Sequence, residues 1–205
     1  MVLSPEVIDS IRTRQFGVAR GFFDDDFMKL LAQDVSKYQW KFPDREVHAG
    51  GKLRSDMTQY SINAHGLLVR AVTPAIAHVR KSLVQTVRST GLNRTEQWGR
   101  KANFRMLANT YFGGGRLGAH QDIKTLVGLT AIVGVAGEAL VRVREAPSGG
   151  VRATDTLDEY LGPVTPILIS EGDVLFIDAN KRPVHDVQNA DETLPRVSLV
   201  ASHHL

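Results

Sequence analysis

The stretch Asn109-Thr110-Tyr111-Phe112-Gly113-Gly114-Gly115-Arg116-Leu117-Gly118-Ala119-His120-Gln121-Asp122 decides how this chain is read. It passes from a β-rich run through a glycine turn and ends in His-x-Asp. Side chains two positions apart on an extended strand share a face, so His120 and Asp122 are expected to reach one metal ion together. The same alternation turns Gln121 away. A third ligand has to come from elsewhere in the chain. Arg182-Pro183-Val184-His185-Asp186-Val187 offers His185 in a strand-like run after a turn, with Asp186 on the opposite face. Two imidazoles and one carboxylate on one side of an ion leave its other positions open, an arrangement that suits non-haem Fe(II).

Around this stretch the texture is β-rich. Asn103 to Phe112, Leu126 to Val135, Ala139 to Arg144, Ile167 to Ser170, Val174 to Ile177, His185 to Val187 and Val197 to Ala201 are short runs broken by Gly, Pro, Asn or Asp. Many short strands with no helices between them predict a sandwich or barrel, not a parallel α/β sheet. Glu171-Gly172-Asp173 reads as a tight turn, and a polar loop runs from Pro147 to Pro166.

Upstream the period changes to that of helices. Ser4-Pro5-Glu6 opens a helix that runs towards Phe16 and is ended by Gly17. Val18 to Phe23 predicts a strand. Asp24-Asp25-Asp26 precedes an apolar face of Phe27, Leu30, Leu31 and Val35, so the aspartates read as a helix cap and not a Ca²⁺ site. Thr73-Pro74 opens a third helix with Ile76, Val79, Leu83 and Val87 on one face, ended by Gly91; His78 and Arg80 lie off that face and read as solvated. Between Tyr38 and His65 no period persists. That segment reads as a lid or wall over the substrate side of the pocket, the alternative being a surface excursion with one or two short strands.

The totals bound the class. At 205 residues, 42% hydrophobic and 23% charged, one globular domain is expected over 1–205: helical support and lid in 1–100, β core in 101–205. The fold class is α+β, mostly β. With no cysteine there is no disulfide framework, thiolate metal site or cysteine nucleophile. No run approaches the roughly 18 apolar residues of a membrane span, and the first residues lack a secretory pattern, so a cytoplasmic location is expected. A net charge of +3 and a pI of 9.3 suit a basic surface or a pocket for anions; Lys and Arg are spread along the chain, which makes nucleic acid the lesser expectation. The sequence carries no sign of oligomeric state.

His120-x-Asp122, His185 and Arg196-Val197-Ser198 together resemble the Fe(II)- and 2-oxoglutarate-dependent oxygenases of the double-stranded β-helix fold, over residues 102–203. The resemblance implies a jelly-roll core braced by the N-terminal helices. It implies Fe(II) on His120, Asp122 and His185, and 2-oxoglutarate with its far carboxylate on Arg196, 11 residues past His185. Ser198 shares the strand face of Arg196. Tyr111, nine positions before His120, and Asn109 in phase with it are implied around the same co-substrate. The activity implied is oxidation of a substrate by O₂, with 2-oxoglutarate leaving as succinate and CO₂. Related halogenases have a small residue at the carboxylate position, so Asp122 argues for hydroxylation, demethylation or desaturation.

Arg105 shares the phase of Asn109 and Tyr111, and Arg182 lies near the distal histidine. Both are candidates for contact with substrate, Arg182 alternatively with the C1 carboxylate of 2-oxoglutarate. The favoured substrate is a small molecule, such as an amino acid or a natural-product intermediate. An AlkB-like nucleic-acid demethylase is the second reading, weakened because no arginine follows Arg196; a peptidyl hydroxylase is the third. Zinc hydrolysis also suits His₂Asp, yet gives Arg196 and Ser198 no task. His48, His65, His203 and His204 read as surface or loop residues, and Trp40 and Trp98 as packing anchors.

Overall fold

The computed structural model describes residues 2–39, 57–64, 67–68, 72–100, 104–122, 124–144, 163–191 and 193–204. The elements run in the order α1 (Pro5–Arg14), β1 (Phe16–Ala19), α2 (Asp25–Gln39), β2 (Met57–Ala64), β3 (Leu67–Leu68) and α3 (Pro74–Ser89). Strands alone follow: β4 (Phe104–Tyr111), β5 (Arg116–His120), β6 (Leu129–Ala136), β7 (Ala139–Arg144), β8 (Thr165–Ile169), β9 (Val174–Asp178), β10 (Val184–Asn189) and β11 (Arg196–His203).

Local chemistry sets the helix starts. Ser4 and Thr73 cap α1 and α3, each accepting from a backbone N–H three residues on, with Pro at the first helical turn. The Asp24 carboxylate accepts from Phe27 N at 2.8 Å, so the aspartate run is a cap, as its spacing predicts. In α3 the buried face is Ile76, Val79, Leu83 and Val87. Each such side chain contributes about 2 kcal/mol by leaving water, which outweighs the modest helix propensity of Ile and Val.

The strands form two antiparallel sheets, a larger one in the order β1-β9-β6-β11-β4-β2-β3 and a smaller one in the order β5-β10-β7-β8. Period-two alternation then divides the apolar residues between two cores. One face of the larger sheet, with Met106, Ala108, Leu129, Val133, Phe176 and Leu199, packs against the helices. Its other face, with Ile132, Leu175 and Ile177, meets Val141, Val143, Ile167 and Val187 of the smaller sheet. This is a jelly roll with its helices on the outer side of the larger sheet, as expected.

Some local expectations fail. The strand expected over 18–23 is instead β1 at Phe16–Ala19, because Gly21 turns at φ +52° and sends Phe22 and Phe23 into the helical core. Gly17 ends no helix: α1 closes on Gln15 in the left-handed region, and Gly17 lies in β1 where a Cβ would sit 2.7 Å from the Val7 carbonyl. Residues 57–64, expected within a lid or within a surface excursion with one or two short strands, form a strand, β2, that pairs with β4 inside the larger sheet. The pairing has a register shift between Ser61 and Asn63. The rest of the expected lid at 40–56 and 65, with Trp40, His48 and His65, and the loop at 147–162 lie outside the described residues. His203 is no surface group. β11 extends to it, and only 3% of it is exposed. Arg80 lies with its guanidinium carbon 5.2 Å from the Phe104 ring centroid, half-buried. Trp98 is a packing anchor, fully buried, its indole N–H donating to Leu129 O at 2.6 Å. No helix among the described residues is long and apolar enough to cross a membrane.

Candidate metal and co-substrate site

His120 at the end of β5 pairs in register with His185 on β10, and their ring centroids are 4.3 Å apart. Asp122 completes the cluster: ligand atoms of His120, Asp122 and His185 all lie within 4.8 Å of one another. Asp122 is not on the strand. β5 ends at His120, and Gln121 and Asp122 lie in the irregular segment after it, so strand alternation does not place the carboxylate. His120 Nδ1 faces the Gly118 carbonyl at 2.8 Å and His185 Nδ1 faces the Pro183 carbonyl at 3.2 Å. A carbonyl only accepts, so in each neutral ring Nδ1 carries the proton and Nε2 keeps its lone pair for a metal. Burial, with the neighbouring His185, pushes the His120 pKa down to about 4 against the pull of Asp122. At neutral pH the ring is therefore unprotonated, the form a cation requires.

Three residues around the cluster position it. Thr130 on β6 donates to Asp122 Oδ2 at 2.9 Å, tying the carboxylate to the larger sheet. Gln121 Nε2 donates to the Arg182 carbonyl at 2.6 Å, and Arg182 Nε donates back to the Asp122 carbonyl at 2.8 Å. Arg182, expected near substrate, thus reaches the ligand loop through its Nε, from a left-handed backbone at φ +55°. Asp186 faces the other way and forms a two-point ion pair with Arg142. The supporting roles of Thr130 and Gln121 had no signal in the sequence beyond hydrogen-bonding capacity.

On the inner face of the larger sheet, β11 and β4 set Arg196 opposite Tyr111, Ser198 opposite Asn109 and Ser202 opposite Arg105. Arg196 is 1% exposed. Among the described residues none of its three nitrogens has a partner in hydrogen-bond geometry, and neither does Ser198 Oγ. The Arg196 guanidinium carbon lies 4.9 Å from the Tyr111 ring centroid. Burial lowers the Arg196 pKa, partly offset by Tyr111. Burial raises that of Tyr111, opposed by the Arg196 charge and Asn109. Leaving a guanidinium buried and unpaired costs several kcal/mol. A buried carboxylate would remove that cost, and the guanidinium fork with the Ser198 hydroxyl is the donor set to receive it. Arg105 is half-buried on the same face.

Comparison by sequence finds no matching family and no similar curated protein. Solved structures do match. The carbocyclase SnoK of nogalamycin biosynthesis, non-heme and alpha-ketoglutarate dependent, superposes with a TM-score of 0.73 at 12% identity, over 98% of this chain and 84% of that one. A Pseudomonas putida prolyl-4-hydroxylase gives 0.68 at 13% identity over 98% of each chain. HygX from Streptomyces hygroscopicus, solved with nickel, 2-oxoglutarate and hygromycin B, gives 0.67 at 13% identity over 98% of this chain and 88% of that one. The fold is that of the 2-oxoglutarate-dependent oxygenases. In this oxygenase fold the His120, Asp122 and His185 cluster has the donor types of an Fe(II) site with open positions.

Proposed function

We propose that this chain is an Fe(II)- and 2-oxoglutarate-dependent oxygenase that oxidises a small molecule, releasing succinate and CO₂. When bound, Fe(II) with 2-oxoglutarate would activate O₂ for attack on an unactivated C–H bond. The chain's own residues bind and aim. His120 and His185 offer Nε2 because the Gly118 and Pro183 carbonyls hold the Nδ1 protons. Asp122 offsets one unit of metal charge and is kept in place by Thr130. Arg196 pairs with the far carboxylate of the co-substrate, Ser198 donates to it, and Tyr111 and Asn109 wall the same end. Gln121 and Arg182 fix the ligand loop, and Arg105 faces the substrate.

The observation that carries this reading is Arg196, a buried cation with an adjacent unpartnered hydroxyl on the sheet that faces the ligand cluster. Zinc hydrolysis has no use for either group. Anaerobic titration with Fe(II) and 2-oxoglutarate tests it: a weak visible band near roughly 500 nm is expected from wild type and should be lost in Arg196→Gln at the same 2-oxoglutarate concentration. Absence of the band in wild type rejects the oxygenase reading. Pooled metabolites that stimulate succinate release then identify the substrate. A peptidyl hydroxylase is the second reading, favoured by the match over 98% of both chains to the Pseudomonas putida prolyl-4-hydroxylase. Proline-containing peptides in the same assay separate the two.

A further inference from the structure

Between Asp56 and Asp122 the chain has one carboxylate, Glu96, and nine Lys or Arg. That stretch carries a net charge of +8 in a chain whose total is +3, so the remainder carries −5. The cations are spread through the sequence; it is the acids that are missing from one part of it. Folding gathers part of this excess. The solvent side of α3 borders a cleft of about 360 Å³ lined by Arg80, Lys81 and Arg88 with Val72, Val84 and Gly99. No carboxylate is among the described residues that line it, and none of the described ion pairs involves these three cations.

Arg100, exposed, follows directly on Gly99 of the cleft lining. Arg88 Nε donates to the Trp98 carbonyl at 2.8 Å, which occupies one of its five N–H donors and holds the side chain against the segment leading to Arg100. The His203 pKa is lowered by burial first and then by the charges of Arg100 and Arg88. The patch is separate from the metal cluster. Val79, Leu83 and Val87 of α3 pack with Phe104, Met106 and Ala108 of β4, whereas the site residues Asn109 and Tyr111 alternate to the other face of that strand.

We propose that this cleft and its cationic rim are a second binding site, which holds the phosphate backbone of a nucleic acid. Arg80 to Arg88 spans about 12 Å of helix. That length matches three to four successive phosphates at about 3.4 Å per nucleotide. Val72 and Val84 give sugar or base an apolar surface between the charges. The proposal is independent of the oxygenase reading, since it needs neither metal nor 2-oxoglutarate.

The test is fluorescence anisotropy of the full chain in EDTA with labelled oligonucleotides of about 20 nucleotides, single-stranded and duplex, from about 50 to 300 mM salt. The expected result for at least one form is binding whose log–log salt slope is about −3, as Arg80, Lys81, Arg88 and Arg100 predict. Lys81→Glu with Arg100→Glu should weaken binding at least about tenfold and flatten the slope, while Lys29→Glu on α2 leaves it unchanged. If the double reversal lowers the thermal midpoint, Lys81→Gln with Arg100→Gln replaces it and should show the same direction. No binding at the lowest salt, or binding indifferent to both double variants, overturns the proposal. So do phosphatidylserine vesicles that bind more tightly than either oligonucleotide and lose binding in the same variants.

Discussion

Arg196 is held at 1% exposure without a hydrogen-bond partner among the described residues, which makes it costly in the ligand-free protein and useful once an anion arrives. Arg196→Met should therefore raise the ligand-free unfolding free energy, by about 1–4 kcal/mol, while abolishing the stabilisation that 2-oxoglutarate confers. Urea unfolding with and without 2-oxoglutarate checks both parts, and a variant that keeps its response to 2-oxoglutarate contradicts the pairing. At the ligand cluster, Asp122→Gly should reduce substrate-dependent succinate release to background; robust turnover would reassign the third ligand. The lowered pKa of His120 has a consequence in chelator-treated protein. Its folded value of about 4 lies below the ordinary value of 6.5, so the unfolded chain takes up the proton first and stability falls as pH drops from 6.5 towards 4. His203, lowered in the same direction, adds to that loss. His120→Asn should shrink the fall in urea midpoint between neutral pH and about pH 5. The convergence of His120, Asp122 and His185 and the burial of Arg196 were legible in the sequence because the proposed roles restrict residue type and order. Thr130 and the Gln121–Arg182 pair were not, since any residue with a donor and an acceptor could serve and only tertiary contact selects them.

Among the elements, the turn Glu171-Gly172-Asp173 shows what the β core demands locally. Gly172 has φ +79°, and a Cβ there would lie 2.5 Å from the Phe23 carbonyl oxygen. Asp173 beside it accepts from the Gly21 and Ser170 backbone N–H groups and pairs with Arg20. Gly172→Ala is expected to cost about 2 kcal/mol or more in urea unfolding, from left-handed strain and the backbone contact; a neutral result would show that the turn can shift. Such turns and the helix caps follow from single residue types and could be read in advance. β2 is harder to read: Gln59 to Ala64 alternates polar and apolar residues, but no period persists around it, and Gly113 to Gly115 with Gly118 mask the bounds of the short β5. β1 was misplaced for a third reason: Phe22 and Phe23 are β-prone, yet the helical core takes them.

Across the molecule, the histidines of the candidate ligand cluster and the buried Arg196 belong to different sheets. His120 and His185 are on β5 and β10 of the smaller sheet, and Arg196 is on β11 of the larger. A dicarboxylate held at both ends joins the two sheets, so metal and 2-oxoglutarate should stabilise cooperatively. Thermal midpoints with Mn(II), with 2-oxoglutarate and with both should show a combined shift larger than the two separate shifts together; strictly additive shifts would mean that the ligands bind independently.

The hydrogen bonds from Gln121 to the Arg182 carbonyl and from Arg182 to the Asp122 carbonyl have one further effect. They clasp the segment bearing Asp122 to the turn leading into His185 by protein contacts alone. The two segments that carry the proposed ligands are thereby held to one another by the chain itself, which leaves the cluster little room to reshape around one particular ion. Exchange among Mn(II), Fe(II), Co(II) and Ni(II) should then leave the backbone where it stands, and the metal found in the isolated protein will reflect the supply it met on folding.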